Sequence, residues 1–129
     1  IAGGMAGVLL AHAMFDLPLI GASTHVRSGI PQWISEATAT AGLLFVIAGS
    51  VRHRPAAVPM VVAAYIAGAY WFTASTSFAN PAVTISRSLT DTFAGIRPVD
   101  VPGFVAAQIA GVAAATPLSI WLFGPEDAR

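Results

Sequence analysis

Four long apolar stretches, separated by the few charges and the prolines of the chain, set its pattern. They predict helices over 1–15, closed by Asp16 and Pro18; over 33–51, interrupted by Glu36 alone; over 56–72, behind the Arg52-His53-Arg54-Pro55 cluster; and over 102–123. The last is long enough to cross a hydrocarbon core of about 30 Å. The first spans only about 22 Å at the helical rise per residue. With Ile1 in place of an initiator Met, the chain is expected to begin part-way through a membrane helix. The alternative is a signal peptide cleaved near Ala11-His12-Ala13, but the positive leading region is missing.

The stretch 80–94 is patterned like a helix yet carries Thr84, Ser86, Arg87, Ser88, Thr90 and Asp91. It is too polar to face lipid and too short to span. Irregular backbone at membrane depth is tolerated only where protein buries it or water lines it, so 73–95 reads as a re-entrant loop feeding a half-helix. A simple outer loop is the plainer alternative. Arg52 and Arg54 place the connection between the second and third stretches on the cytoplasmic side, and the remaining connections then face outward. Trp33, Trp71 and Trp121 fall near segment ends, where an amphipathic ring suits the headgroup level. The fold class expected is all-α, integral and multi-pass, in a plasma or inner membrane.

Composition sharpens this picture. The 129 residues are 56% hydrophobic and 9% charged, against about 25% charged in soluble domains, which is too little to cover a water-facing surface. Lysine is absent and six arginines balance six acids, so no basic face exists to track nucleic acid. Without cysteine there is no disulfide, thiolate nucleophile or thiolate metal site. His12, His25 and His53 show no metal-ligand spacing, and no serine lies in a nucleophile elbow. Neither enzyme chemistry nor a cofactor is expected. Gly3, Gly7, Gly42, Gly49, Gly68 and Gly111 would let helices approach closely. A weak repeat lays Ile1-Ala2-Gly3, Ala6, Leu10 and Phe15 on Ile109-Ala110-Gly111, Ala114, Leu118 and Phe123. It reads as a duplicated fold or as chance likeness between Ala/Gly-rich helices.

The polar half-helix opens at Asn80-Pro81-Ala82. Asn is a favoured N-cap and Pro costs nothing at the first helical position, so the helix starts abruptly. At mid-membrane such a start points unpaired N–H groups and the positive dipole end into a cavity, repelling cations and offering donors to a neutral solute. The Asn80 amide adds two donors. A capped surface helix is the competing reading.

The run Ser77-Phe78-Ala79-Asn80-Pro81-Ala82-Val83-Thr84, set between two spanning stretches, resembles the second pore loop of the aquaporin, or major intrinsic protein, family. Gln108-Ile109-Ala110-Gly111 resembles the start of that family's sixth helix, and Ile1-Ala2-Gly3 the matching part of its third. The resemblance implies half of a right-handed helical bundle. In it, 1–15 ends the third helix, 33–51 and 56–72 are the fourth and fifth, 73–95 holds pore loop and half-helix, and 102–123 is the sixth. It implies that Glu36 braces pore-loop N–H groups as a scaffold, that the carbonyls of Thr76, Ser77 and Phe78 form an acceptor ladder, and that Gly68, Ser77 and Val83 supply this half's share of the selectivity filter. Most members carry arginine where this chain has Val83, and Arg87 lies a full turn further on. A wide, uncharged filter is therefore expected, passing water and small uncharged solutes such as glycerol-like polyols or arsenous acid.

The resemblance further implies partners: the lipid bilayer, a missing N-terminal half carrying the first Asn-Pro-Ala loop, and three like subunits in a homotetramer. These 129 residues alone are then expected to conduct nothing. The other reading is an inverted-repeat secondary transporter, for which Glu36 is the sole mid-membrane ionisable candidate.

Overall fold

The computed structural model describes residues 1–124 and contains, among them, helices and connecting turns only. The helices are α1 (Ala2–Met14), α2 (Ile30–His53), α3 (Val58–Phe72), α4 (Pro81–Arg87) and α5 (Val101–Phe123), with single 3₁₀ turns at Pro55–Ala57 and Pro98–Asp100 leading into α3 and α5. Three helical stretches, Ile30–His53, Pro55–Phe72 and Pro98–Phe123, are long and apolar enough to cross a membrane, whereas Ala2–Met14 is shorter.

Local chemistry accounts for most boundaries. α2 begins three residues before the expected start because Gly29, at φ 97°, turns the chain and Pro31 occupies the first turn. Pro117 lies inside α5 and removes one ladder bond without ending the helix. The half-helix is shorter than the helix-like pattern to 94 predicts. It stops at Arg87, whose carbonyl accepts from Thr90 N at 3.5 Å and Ile96 N at 3.3 Å. Beyond it, the carbonyls of Ser88 and Leu89 are taken by Ser23 N (3.0 Å) and Gly21 N (3.2 Å) of the α1–α2 loop. Backbone groups that would continue the helix are thus satisfied by a distant segment.

α2 packs along α5, α3 leans on α2, and α4 lies against both α1 and α5, so the two segments of the weak repeat flank the half-helix. The close approach of α2 and α5 requires Gly111, because a Cβ there would strike the Ala37 carbonyl. Gly42 gives way in the same manner to the Tyr65 hydroxyl, which donates to Ala39 O at 2.9 Å and ties α3 to α2. Among the described residues, no atom lies within 4 Å of a prospective Cβ at Gly3 or Gly7.

Burial is inverted relative to a soluble domain. Glu36, Thr84, Ser75 and Gln108 are buried, whereas Met60, Trp71 and Trp121 are exposed on helix surfaces. Polar groups inside and apolar groups outside suit a hydrocarbon solvent, because lipid cannot satisfy polar atoms.

Candidate functional site

Asn80 caps α4 in extended conformation (φ −158°, ψ 121°), and its Oδ1 accepts from Ala82 N at 2.8 Å. Pro81 fills the first helical position. Before it, Thr76, Ser77 and Ala79 adopt left-handed backbone, at φ 58°, 48° and 50°. Each such non-glycine residue costs about 1–3 kcal/mol and persists only where surroundings over-determine it.

The surroundings here converge on Glu36, which is fully buried on α2. Its Oε2 accepts from Phe78 N at 3.2 Å, and its Oε1 accepts from Ala79 N. The Gln108 amide on α5 donates to Glu36 Oε1 at 2.7 Å and to Thr84 Oγ1 at 2.8 Å. Thr84 Oγ1 in turn donates to Asn80 O at 3.0 Å. One continuous polar network therefore joins α2, α5, the loop and the start of α4, and it consumes the N–H groups on one side of the loop. On the other side, the carbonyls of Thr76, Ser77 and Phe78 accept no hydrogen bond among the described residues. The Ser77 hydroxyl is likewise buried without a partner. A row of acceptors with no protein donor among the described residues is a place for an outside donor to bind.

Two arginines approach the ring of Phe78, Arg27 at 4.8 Å and Arg87 at 4.4 Å from its centroid. Arg27 donates from Nε to Gly95 O (2.7 Å), from Nη1 to Ser75 O (3.0 Å) and from Nη2 to Phe93 O (2.9 Å). Its own N–H reaches Asp100 Oδ2 at 2.9 Å. It thereby pins the α1–α2 loop to both segments flanking the half-helix. Sequence reasoning left Arg27 in an outward loop. The signal available was a cation in a polar loop whose nearest acids in sequence, Glu36 and Asp16, lie about one loop length away on either side, and that is weak.

Val83 packs against the Phe78, Ile96 and Phe104 cluster and lines a cavity of about 620 Å³ between α1 and α4. Gly68 stands on α3 with only Phe72 near a prospective Cβ, at 3.9 Å. Ser77 and Val83 thus belong to the braced loop and half-helix, while Gly68 belongs to the neighbouring helix. His12 is buried and bonds Thr90 Oγ1 at 2.7 Å and Leu19 O at 3.0 Å, fastening α1 to the segment after α4. No group of three or more His, Cys, Asp or Glu able to hold a metal occurs among the described residues. In the loops, Asp91 Oδ1 accepts from Thr24 N (2.7 Å) and Thr24 Oγ1 (2.9 Å), and these bonds hold its carboxyl below the usual carboxylate range.

No family model matches the chain, and no solved structure does. The chain is similar to the aquaglyceroporin AqpS of Rhizobium meliloti (strain 1021), with 54% identity over 125 residues. That match covers 97% of this chain and 54% of the relative, so the chain spans about half the length of the protein it matches. Identity at that level, over nearly every residue and across the braced half-helix, shows that this integral, multi-pass membrane chain belongs to the aquaporin, or major intrinsic protein, family.

Proposed function

We propose that this chain supplies one half of a channel that passively conducts water and small uncharged solutes, glycerol-like polyols or neutral metalloid hydroxides such as arsenous acid. The observation carrying this reading is the loop before Asn80, whose N–H groups are braced by Glu36 while the carbonyls of Thr76, Ser77 and Phe78 stay free. Free carbonyls accept hydrogen bonds from hydroxyl-bearing solutes, and the start of α4 turns donors and positive potential toward the same path. Arg27 and Arg87 add positive charge beside Phe78, which disfavours cations. An arrangement built of spent N–H groups and open acceptors suits selection among neutral solutes and has no use for bond-making chemistry.

Gly68, Ser77 and Val83 form this half's contribution to the filter. With no bulky or charged group at Gly68 and Val83, the constriction is wide, and diameter together with lining donors and acceptors sets what passes. Asn80, Pro81 and Ala82 form the tip of the half-helix. The second half-helix comes from another half of the fold, so the 129 residues alone do not conduct. The assembled protein is a homotetramer with one path per subunit. Glu36 serves as scaffold, because its carboxylate is occupied by Phe78, Ala79 and Gln108. That argues against a transporter using it as a coupling site.

Swelling of vesicles carrying the protein with both halves present tests the reading. Entry of water, glycerol and arsenous acid is expected, independent of proton and sodium gradients. Water entry with glycerol and arsenous acid excluded refutes the wide filter, and gradient-dependent uptake refutes the channel.

A further inference from the structure

A second cavity, of about 530 Å³, lies between the inner ends of α2 and α5, remote in sequence from the half-helix and lined in part by Val51, Arg52, Ser119, Ile120 and Phe123. Two polar groups reach it. Arg52 lies exposed in the last turn of α2. The described acids are Asp16, Glu36, Asp91 and Asp100, and the ion pair among them joins Arg97 to Asp100, so no described carboxylate neutralises Arg52. Ser119, only 6% exposed, has a hydroxyl with no hydrogen-bond partner among the described residues. Its neighbour Thr116 by contrast bonds back to Val112 O at 2.7 Å. A buried hydroxyl left unmet is unfavourable unless an outside acceptor enters to receive it. The remaining wall is apolar, and the His53 ring holds Phe123 edge-on at 6.2 Å between centroids.

We propose that this cavity binds one anionic phospholipid from the cytoplasmic leaflet. The phosphate sits on the Arg52 guanidinium, whose planar fork matches phosphate oxygens. An ester carbonyl, about one helical turn deeper, accepts from Ser119 Oγ. The acyl chain follows Val51 and Ile120. A cation at the rim, a donor below it and hydrocarbon walls form a gradient that matches a phospholipid and that free phosphate cannot fill. Basic pockets between membrane helices on the cytoplasmic side bind such headgroups. The proposal does not depend on the channel reading, since its test measures binding and not flux.

The test is native mass spectrometry of the full chain released from nanodiscs, titrated separately with phosphatidylglycerol, phosphatidylcholine and inorganic phosphate. Phosphatidylglycerol is expected to bind in preference to phosphatidylcholine by about fivefold or more. Arg52→Gln removes that preference, Ser119→Ala lowers phosphatidylglycerol binding a few-fold, and Arg54→Gln, outside the cavity lining, leaves both nearly unchanged. Ile120→Trp, which fills the cavity and keeps every charge, abolishes binding; it serves as the decisive variant if Arg52→Gln fails to fold. Equal losses from Arg52→Gln and Arg54→Gln mean diffuse surface attraction and overturn the proposal. Arg52-dependent binding of inorganic phosphate at the same concentrations means a simple anion site and also overturns it. Glu126→Gln with Asp127→Asn, in the terminal residues outside the described structure, leaves the preference within twofold if the cavity is open to lipid. A larger rise means those carboxylates occupy Arg52, and a protein with both halves present that shows no preference means protein covers the cavity; either result overturns the proposal.

Discussion

Replacing Glu36 with Gln probes the brace with a nearly isosteric change. The carboxylate receives three donors, Phe78 N on Oε2 and both Ala79 N and Gln108 Nε2 on Oε1. An amide offers only one acceptor oxygen, so the best placement keeps the oxygen at the doubly used position and turns its NH₂ toward Phe78 N. One buried N–H is then left unmet, at about 1–3 kcal/mol. The two surviving bonds fall from charge-assisted to neutral, losing about 1 kcal/mol each. The sum, about 3–5 kcal/mol, rivals the cost of holding three left-handed residues at Thr76, Ser77 and Ala79. The loop is therefore expected to open locally while the spanning helices stay folded. Amide hydrogen exchange in nanodiscs reads this directly. Exchange at Phe78 and Ala79 should speed up by about 10²-fold or more, at about 1.4 kcal/mol per decade, with α2 and α5 amides unchanged. Unchanged protection at Phe78 and Ala79 refutes the claim that Glu36 holds the loop.

Three further outcomes are expected. Val83→Arg should reduce glycerol and arsenous acid entry before water entry in vesicle swelling; unchanged entry of the larger solutes removes Val83 from the constriction. Gln108→Leu breaks the link from Glu36 to Thr84 and should destabilise the chain by about 1–3 kcal/mol in denaturant titration from detergent, whereas a loss below about 0.5 kcal/mol counts against the network. Asp91 has its folded-state pKa held down by Thr24, so the Thr24–Asp91 contact should be fully present above the ordinary carboxylate value of about 3.9 and be lost only as pH falls through the lower folded value. The Thr24 amide should stay equally protected from pH 8 to pH 5, and Asp91→Ala should abolish that protection at every pH; loss of protection already at pH 6 contradicts the assignment.

Elements whose cause is local were legible along the chain. The spanning helices follow from long, almost uncharged apolar runs that hydrocarbon requires, and the abrupt start at Asn80-Pro81 follows from a cap and a ring that act within two residues. Glu36 stood out because a lone charge inside a spanning stretch demands partners, although which N–H groups it would meet rested on resemblance. The length of α4, the three carbonyl bonds of Arg27 and the orphaned hydroxyl of Ser119 had no such local trace. Each depends on segments brought together from far along the chain: Gly21 and Ser23 capturing the residues after Arg87, residues 75 and 93–95 meeting Arg27, and α2 lying beside α5. Periodicity and capping reach only about one helical turn, whereas the partner of a buried polar group is chosen by packing, and packing exists only once the helices have met.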